Sequence, residues 1–290
     1  MIREETSRYY RKKVDELLHH IGSHLDGDLS VRTLAVHSGI SLFHFHRIMK
    51  AALGEPLGSY IDRVRLETAV KLIRYSGEPL QQIAFSIGYN DLSSFSKAFV
   101  KEFGLSPGEY RNDRSIVLNT HIDFRCDENL NIIADVKPKM INLPEKKVLY
   151  ITVTGEYGGE ETINGWNEIG SFMQRYGINP WHPDLFAVYY DDPDVVGNDQ
   201  CRTDLCLTIK RSYPAEGRIG EKIMQGGKYA VFRYKGPYEG LWELYYAIYR
   251  NWLMITDMAL RDQPVVERYI TFAPKTKPDN LITEIYVPVE

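Results

Sequence analysis

Two short stretches decide the fold of the first part of this sequence: Leu34-Ala35-Val36-His37-Ser38-Gly39-Ile40 and Ile83-Ala84-Phe85-Ser86-Ile87-Gly88-Tyr89. Both have the order aliphatic residue, alanine, three residues, glycine and bulky apolar residue. Glycine takes the left-handed conformation that ends a helix, and Ser41 and Asn90 or Asp91 are suited to cap the next one. Each stretch predicts a helix-turn-helix motif. Their repetition predicts an all-helical domain that contains the motif twice.

The second helix of each motif carries a cation at the same point, because Arg47 and Lys97 each lie seven residues before a glycine. Helical spacing predicts that one face of each helix is in the domain core, with Leu42, Phe45, Ile48 and Met49 in the first motif and Phe95 and Phe99 in the second. The outer faces are predicted to contact DNA, through Phe43, His46, Arg47 and Lys50 and through Ser93, Ser96 and Lys97. The alternative is an ordinary helical bundle whose surface cations are only solvated. The matched duplication favours DNA contact.

The charge of the whole chain, −4 with a pI near 6.1, is unusual for a protein that binds nucleic acid. Residues 1–114 hold 16 Lys and Arg against 14 Asp and Glu, a net charge of +2, and the remaining residues hold 19 against 25, a net charge of −6. The split predicts a DNA-binding domain over 1–114, a linker over 115–135 and an acidic domain over 136–290. Between the two motifs, aliphatic residues within 60–73 predict a buried linking helix.

The remaining bulk features exclude several classes of protein. The sequence has no apolar run of about 18 residues and begins without the apolar segment of a signal peptide, which predicts a cytoplasmic protein without a membrane span. Its three cysteines form no metal-binding pattern. We expect no disulfide, no metal and no cofactor.

The second part has the alternating pattern of strands. Val148–Thr154 alternates between apolar and polar residues, and later strands are predicted over 185–190, 204–210, 268–273 and 283–289. A glycine- and tyrosine-containing turn followed by a helix with a tryptophan occurs twice. The predicted fold is therefore an α+β domain of two strand-helix-strand-strand repeats.

Strand alternation places Leu205 and Leu207 beneath the helices and Asp204, Cys206 and Glu284 on the other side. A groove where the repeats meet is expected to hold carboxylates among aromatic rings, which suits an organic cation. The candidate ligand contacts are Glu284, Tyr286, Tyr150, Trp166, Trp242 and Tyr189. The alternative is that the aromatics are core packing and that Glu284 pairs with a nearby arginine.

The helical part resembles the AraC/XylS family of transcription regulators over about residues 7 to 111. The resemblance rests on Arg63-Val64, Ala69, Leu72, Ile83-Ala84, Gly88-Tyr89, Phe95, Lys97, Phe99, Phe103-Gly104, Ser106-Pro107 and Tyr110-Arg111. It implies a seven-helix DNA-binding domain whose two second helices contact DNA. The amino-terminal position of the domain resembles the Rob subgroup. Serines at 93 and 96 depart from the longer polar side chains of the family and imply weaker base specificity in the second motif.

The acidic part is similar to GyrI-like or BmrR-type effector-binding domains, through Gly236-Pro237-Tyr238 and the terminal Glu284-Ile285-Tyr286-Val287-Pro288-Val289. This resemblance implies a groove with a functional acidic residue, which maps onto Glu284. Together the two parts predict a one-component transcription regulator, without enzyme activity, that binds double-stranded promoter DNA and a small cationic or amphipathic effector.

Several points about this function stay open at the level of the sequence. Activation through RNA polymerase is an expectation, and the oligomeric state, monomer or dimer, is not specified. Two other functions of the acidic domain also remain: a small-molecule hydrolase, with Glu284 and a tyrosine as the general base pair, and a protein-interaction module.

Overall fold

The computed structural model describes residues 9–113, 116, 136–179, 184–191, 193–214, 216–256, 258–273 and 275–290. They form two compact units. One holds residues 9–40 and 49–113, and the other holds Ser41–Ile48 together with the C-terminal residues from 136. The predicted linker lies outside the described residues except for residue 116. Among the residues that the structure describes, no helix is both long enough and apolar enough to span a membrane.

Residues 9–113 form the seven helices that the family resemblance implies. They are α1 (Tyr9–Ser23), α2 (Val31–Ser38), α3 (Leu42–Leu53), α4 (Leu57–Tyr75), α5 (Leu80–Ser86), α6 (Leu92–Phe103) and α7 (Pro107–Asn112). The first motif is α2 with α3 and the second is α5 with α6. The predicted duplication is therefore confirmed.

The turns of the two motifs are built alike. Gly39 has φ 60° and Gly88 has φ 88°, the left-handed conformation that the sequence predicts. The N–H groups of these glycines donate to the carbonyls of Val36 and Phe85 at 3.1 and 3.0 Å. The helices that follow begin differently. The Asp91 carboxylate caps α6 by accepting from the Ser94 N–H at 2.7 Å, whereas the Ser41 hydroxyl donates to Asp262.

The predicted linking helix is α4, which buries Ile61, Leu66, Ala69 and Ile73 along one side. Arg63 fixes its first half, because the guanidinium binds Glu55 at 2.7 Å and Glu67 at 3.0 Å. Charged pairs that share one arginine hold the start of a helix more firmly than a single exposed pair.

The C-terminal residues form one antiparallel sheet of eight strands. They are β1 (Lys139–Leu143), β2 (Lys146–Thr154), β3 (Leu185–Tyr189), β4 (Arg202–Thr208), β5 (Gly220–Met224), β6 (Gly227–Lys235), β7 (Val265–Tyr269) and β8 (Ile282–Pro288). Their order across the sheet is β1-β6-β8-β7-β3-β4-β2-β5. The sheet contains the two predicted repeats, which meet where β7 pairs with β3.

Three details differ from the predicted repeats. Each repeat has an additional first strand, β1 or β5, and that strand pairs with the other repeat. These strands were missed because each has only five residues and neither has a strict apolar–polar alternation. The strand predicted over 268–273 is wrong, because the observed strand is Val265–Tyr269.

Helix α8 (Glu160–Arg175) packs on one face of the sheet, as predicted from the strand alternation. Its Ile169 and Phe172 lie in one cluster with Leu205 and Leu207. Gly165 allows this close packing, since a Cβ atom there would lie 2.6 Å from the Leu205 side chain. A short helix α9 (Pro193–Val196) precedes β4, and α10 (Leu241–Ala247) continues as a π-helical turn over Ile248–Trp252.

Candidate functional site

The second candidate DNA-reading helix, α6, has the predicted orientation. Phe95 and Phe99 are fully buried, while Ser93 and Lys97 are exposed and Ser96 is half-buried. The outer face of α6 thus presents two hydroxyls and one ammonium group, which are able to contact phosphates and base edges.

The first candidate helix, α3, differs from the prediction. Phe45, Ile48 and Met49 are buried as expected, but Leu42 is 56% exposed, so its predicted place in the core is wrong. Helical side chains point back toward the helix N-terminus, and the side chain of the first residue therefore extends past the helix end. The expected open outer face is also not found, because His46 is 5% exposed and Phe43, Arg47 and Lys50 are half-buried.

The first residues of α3, up to Ile48, belong to the compact unit that contains the sheet, and other residues of that unit cover them. The Nη2 of Arg47 donates to the Asp191 carbonyl at 3.4 Å, and its guanidinium lies 5.8 Å from the centre of the Tyr245 ring. His44 is fully buried, with Nδ1 3.0 Å from the Tyr249 hydroxyl. Burial first, and then the charge of Arg47, lowers the pKa of His44 to about 3. His44 is therefore a neutral hydrogen-bonding group at neutral pH.

A buried carboxylate lies where the two repeats meet. Glu267 on β7 is 4% exposed and is opposite Ala187 on β3 and Ile285 on β8, on the face that the helices cover. Three phenol groups surround the carboxylate: Tyr245 donates to Oε1 at 2.9 Å, and Tyr269 and Tyr189 donate to Oε2 at 3.1 and 3.2 Å.

The electrostatics of this cluster, Glu267 with Tyr189, Tyr245 and Tyr269, follow from burial. Desolvation raises the pKa of Glu267, and the three phenol hydrogen bonds and the charge of Arg47 oppose that shift. Burial and the neighbouring Glu267 raise the pKa of Tyr189 and Tyr245 well above their usual range. At neutral pH these phenols keep their protons, so they act as hydrogen-bond donors and not as nucleophiles.

The six predicted ligand contacts do not share one site. Tyr189 belongs to the Glu267 cluster, and the Trp166 ring lies edge-on to Tyr269 with centroids 5.9 Å apart. Trp242, on α10, is 53% exposed. Tyr286 and Tyr150 belong to the cluster on the sheet face opposite α8. Glu284 is on that face too, accepting from the Tyr286 hydroxyl at 2.9 Å and pairing with Arg268 at 3.5 Å. Whether any of the six contacts a ligand stays a prediction.

The sequence interpretation missed Glu267 because it began this strand at Arg268, the residue that follows Glu267. The signal that could have found it is Val265-Val266-Glu267-Arg268-Tyr269, where two β-branched residues begin a strand and alternation places Glu267 beside Tyr269. Among the described residues, no group of histidine, cysteine or acidic side chains has the arrangement of a metal site.

Two parts of the chain match known families of domains. Residues 137–290 match a family of GyrI-like small-molecule-binding domains, and residues 34–113 match a helix-turn-helix domain. The chain is 23% identical to the transcriptional regulator Rob of Salmonella typhimurium, over 95% of this chain and 97% of that protein. It is 30% identical to the regulatory protein SoxS of Escherichia coli, over 36% of this chain and 96% of that protein.

One solved structure is also similar to this chain. The C-terminal domain of EcmrR is 21% identical, and the match covers 53% of this chain and 98% of that domain with a TM-score of 0.45.

Proposed function

We propose that this chain, which belongs to the GyrI-like family of small-molecule-binding domains, binds an organic cation against Glu267. Its AraC-type helix-turn-helix domain makes the chain a DNA-binding transcription regulator. The effector and the DNA contacts are the new parts of the proposal.

The observation that carries the cation proposal is the Glu267 cluster. A carboxylate that is 4% exposed is costly unless its charge is balanced, and three phenol hydrogen bonds balance it only in part. A bound organic cation would supply the missing charge. The aromatic rings of Tyr189, Tyr269 and Trp166 attract a cation through their faces and bury its apolar groups.

The test is isothermal titration calorimetry of the full chain with tetraphenylphosphonium, a lipophilic cation. We expect binding that Glu267→Gln weakens at least about tenfold, because the variant removes the charge and keeps the side-chain shape. Glu284→Gln is the matched control, since Arg268 keeps its 2.6 Å contact with Asp184. A loss of binding in Glu284→Gln alone would support the original sequence prediction and contradict ours.

For DNA we propose contacts by Phe43, His46, Arg47 and Lys50 on α3 and by Ser93, Ser96 and Lys97 on α6. The exposure of Ser93 and Lys97 supports the α6 part of this proposal. Arg47 is suited to donate two hydrogen bonds to one guanine, and such a contact contributes about 1–3 kcal/mol of discrimination.

Selection of binding sites from random duplexes tests the base contacts. We expect Arg47→Ala to lose the preference at one base pair, whereas Lys101→Ala, an exposed cation at the end of α6, leaves all preferences unchanged. Identical preferences in Arg47→Ala and the wild type would exclude base reading by Arg47.

We further propose that the chain is not an enzyme and that the effector changes transcription through RNA polymerase. Transcription in vitro from a selected duplex, with and without tetraphenylphosphonium, tests this step. A fixed transcript level at saturating cation would argue against an effector-dependent activator.

A further inference from the structure

We propose that Arg47 serves as an internal cation for the Glu267 site, and that an effector cation displaces it and so releases the arginine for DNA. This inference rests on the proposed function and adds its regulation: one side chain cannot occupy the effector site and a DNA groove at once.

The first connection between Arg47 and the site runs through Tyr245. The guanidinium lies 5.8 Å from the centre of the Tyr245 ring, and the hydroxyl of that ring donates to Glu267 at 2.9 Å. Arg47 therefore already interacts with an aromatic ring that shields the carboxylate, in the way an organic cation would.

The second connection runs along the other side of the cluster. Arg47 donates to the Asp191 carbonyl, which also accepts from the Tyr157 hydroxyl at 2.6 Å. The Tyr157 ring lies edge-on to Tyr189, with centroids 4.7 Å apart, and Tyr189 donates to Glu267. Arg47 thus contacts the Tyr245 ring on one side of the site and shares the Asp191 carbonyl with Tyr157 on the other, and its positive charge favours the ionised form of Glu267.

The site is closed while Arg47 is in this position. Glu267 is 4% exposed, so a ligand reaches it only if groups such as Tyr245 move. Two cations close to one carboxylate repel each other, and an incoming cation therefore weakens the hold on Arg47. Because Tyr245 is on α10, movement of that helix affects both ligand entry and the Arg47 contact.

Two further contacts connect the start of α3 to the same arrangement. His44 binds the hydroxyl of Tyr249, which is on the π-helical continuation of α10, and Ser41 donates to Asp262. A shift of α10 would thus act on His44 as well as on Arg47. The consequence is a linkage in which effector and specific DNA each strengthen the binding of the other by the same factor.

The first experiment measures tetraphenylphosphonium binding to the full chain without DNA. We expect Arg47→Gln to tighten binding at least about fivefold, because the competing internal cation is gone. Lys97→Gln is the matched control: it removes the equivalent cation of the second motif, which is exposed and belongs to the other compact unit. It should leave the affinity unchanged. Equal affinities of Arg47→Gln and the wild type would overturn the inference.

The second experiment uses the wild type and does not depend on the folding of a variant. Phenylglyoxal modifies accessible arginines, and mass spectrometry gives the rate for each residue. We expect saturating tetraphenylphosphonium to accelerate modification of Arg47 severalfold, with Arg63, held by Glu55 and Glu67, as internal reference. Tetraphenylborate, an anion of the same shape, should have no such effect. An unchanged Arg47 rate at saturation would contradict displacement.

The two proposals fail in different ways. If Glu267→Gln binds the cation as the wild type does, the proposed effector site is wrong. If binding depends on Glu267 but neither Arg47→Gln nor the cation changes the measured quantities, the site is right and the regulation is wrong.

Discussion

At the scale of single residues, burial of the Glu267 carboxylate has a cost in stability. Because burial raises its folded-state pKa, the folded protein binds a proton more tightly than the unfolded chain does. The stabilising effect of this residue is complete below the unfolded pKa of about 4.3 and is lost as the pH rises through the raised folded pKa. Above that range the ionised carboxylate destabilises the fold.

We expect Glu267→Gln to have a free energy of unfolding about 1 kcal/mol higher than that of the wild type at pH 7, and so to unfold at a higher urea concentration. At pH 4 the difference should shrink, since the wild-type side chain is then protonated. Urea titrations of both proteins at the two pH values measure this. If the variant is less stable than the wild type at pH 7, the prediction is wrong, and the hydrogen bonds and charges around Glu267 more than offset the cost of burying its carboxylate.

The same residue shows how far the sequence predicted the site. The sequence analysis expected carboxylates and aromatic rings where the repeats meet and named Tyr189 as a candidate, but it expected the groove on the sheet face opposite the helices, whereas Glu267 lies on the covered face. The carboxylate was not predicted, because the strand was expected to begin at Arg268, three residues after its observed start at Val265, and Glu267 was therefore left outside it. Arg268 and Glu284 satisfy each other across neighbouring strands, a pairing that the sequence interpretation considered only as the alternative.

At the scale of elements, the two motif turns are equivalent in sequence but not in their surroundings. A Cβ atom at Gly88 would overlap the backbone carbonyl oxygen of Leu25, to which Arg65 donates at 2.9 Å. At Gly39 the nearest atom is the mobile Lys13 Nζ, at 3.2 Å. The second turn therefore tolerates a side chain much less than the first does.

This difference gives a matched pair of variants. Gly39→Ala should cost about 1 kcal/mol, the strain of a left-handed alanine, whereas Gly88→Ala should cost about 3 kcal/mol or more because the Leu25 backbone must also move. Urea unfolding followed by helical circular dichroism compares them. Equal losses would show that the backbone near Leu25 moves easily.

The elements themselves were predicted best where local signals were strong. The glycine turns, the linking helix and the long alternating strands each have a pattern that local sterics or burial imposes, and the structure confirms them. β1 and β5 lack such a pattern because they pair with the opposite repeat, so their formation depends on contacts distant in sequence. The same dependence explains α3, where Arg47 of the predicted outer face contacts the Tyr245 ring and the Asp191 carbonyl, both distant in sequence.

At the scale of the whole molecule, the net charge is −4. If the affinity for DNA depended only on this net charge, we would expect it to be weak. Phosphate contacts are local, because salt screens charges beyond about 10 Å at 0.1 M. The cation on α6 should therefore contribute to DNA binding even though the chain as a whole is acidic.

Two variants that change the net charge equally separate local from total charge. Lys97 on α6 and Lys139 on β1 are both exposed, and replacing either with glutamine changes the net charge from −4 to −5. If Lys97 contacts a phosphate, Lys97→Gln should weaken binding to a selected duplex and reduce the log–log salt slope by about 1, because one fewer counterion is released. Lys139→Gln should leave both unchanged. Fluorescence anisotropy between 50 and 200 mM salt measures the slopes, and equal effects of the two substitutions would mean that total charge governs the affinity.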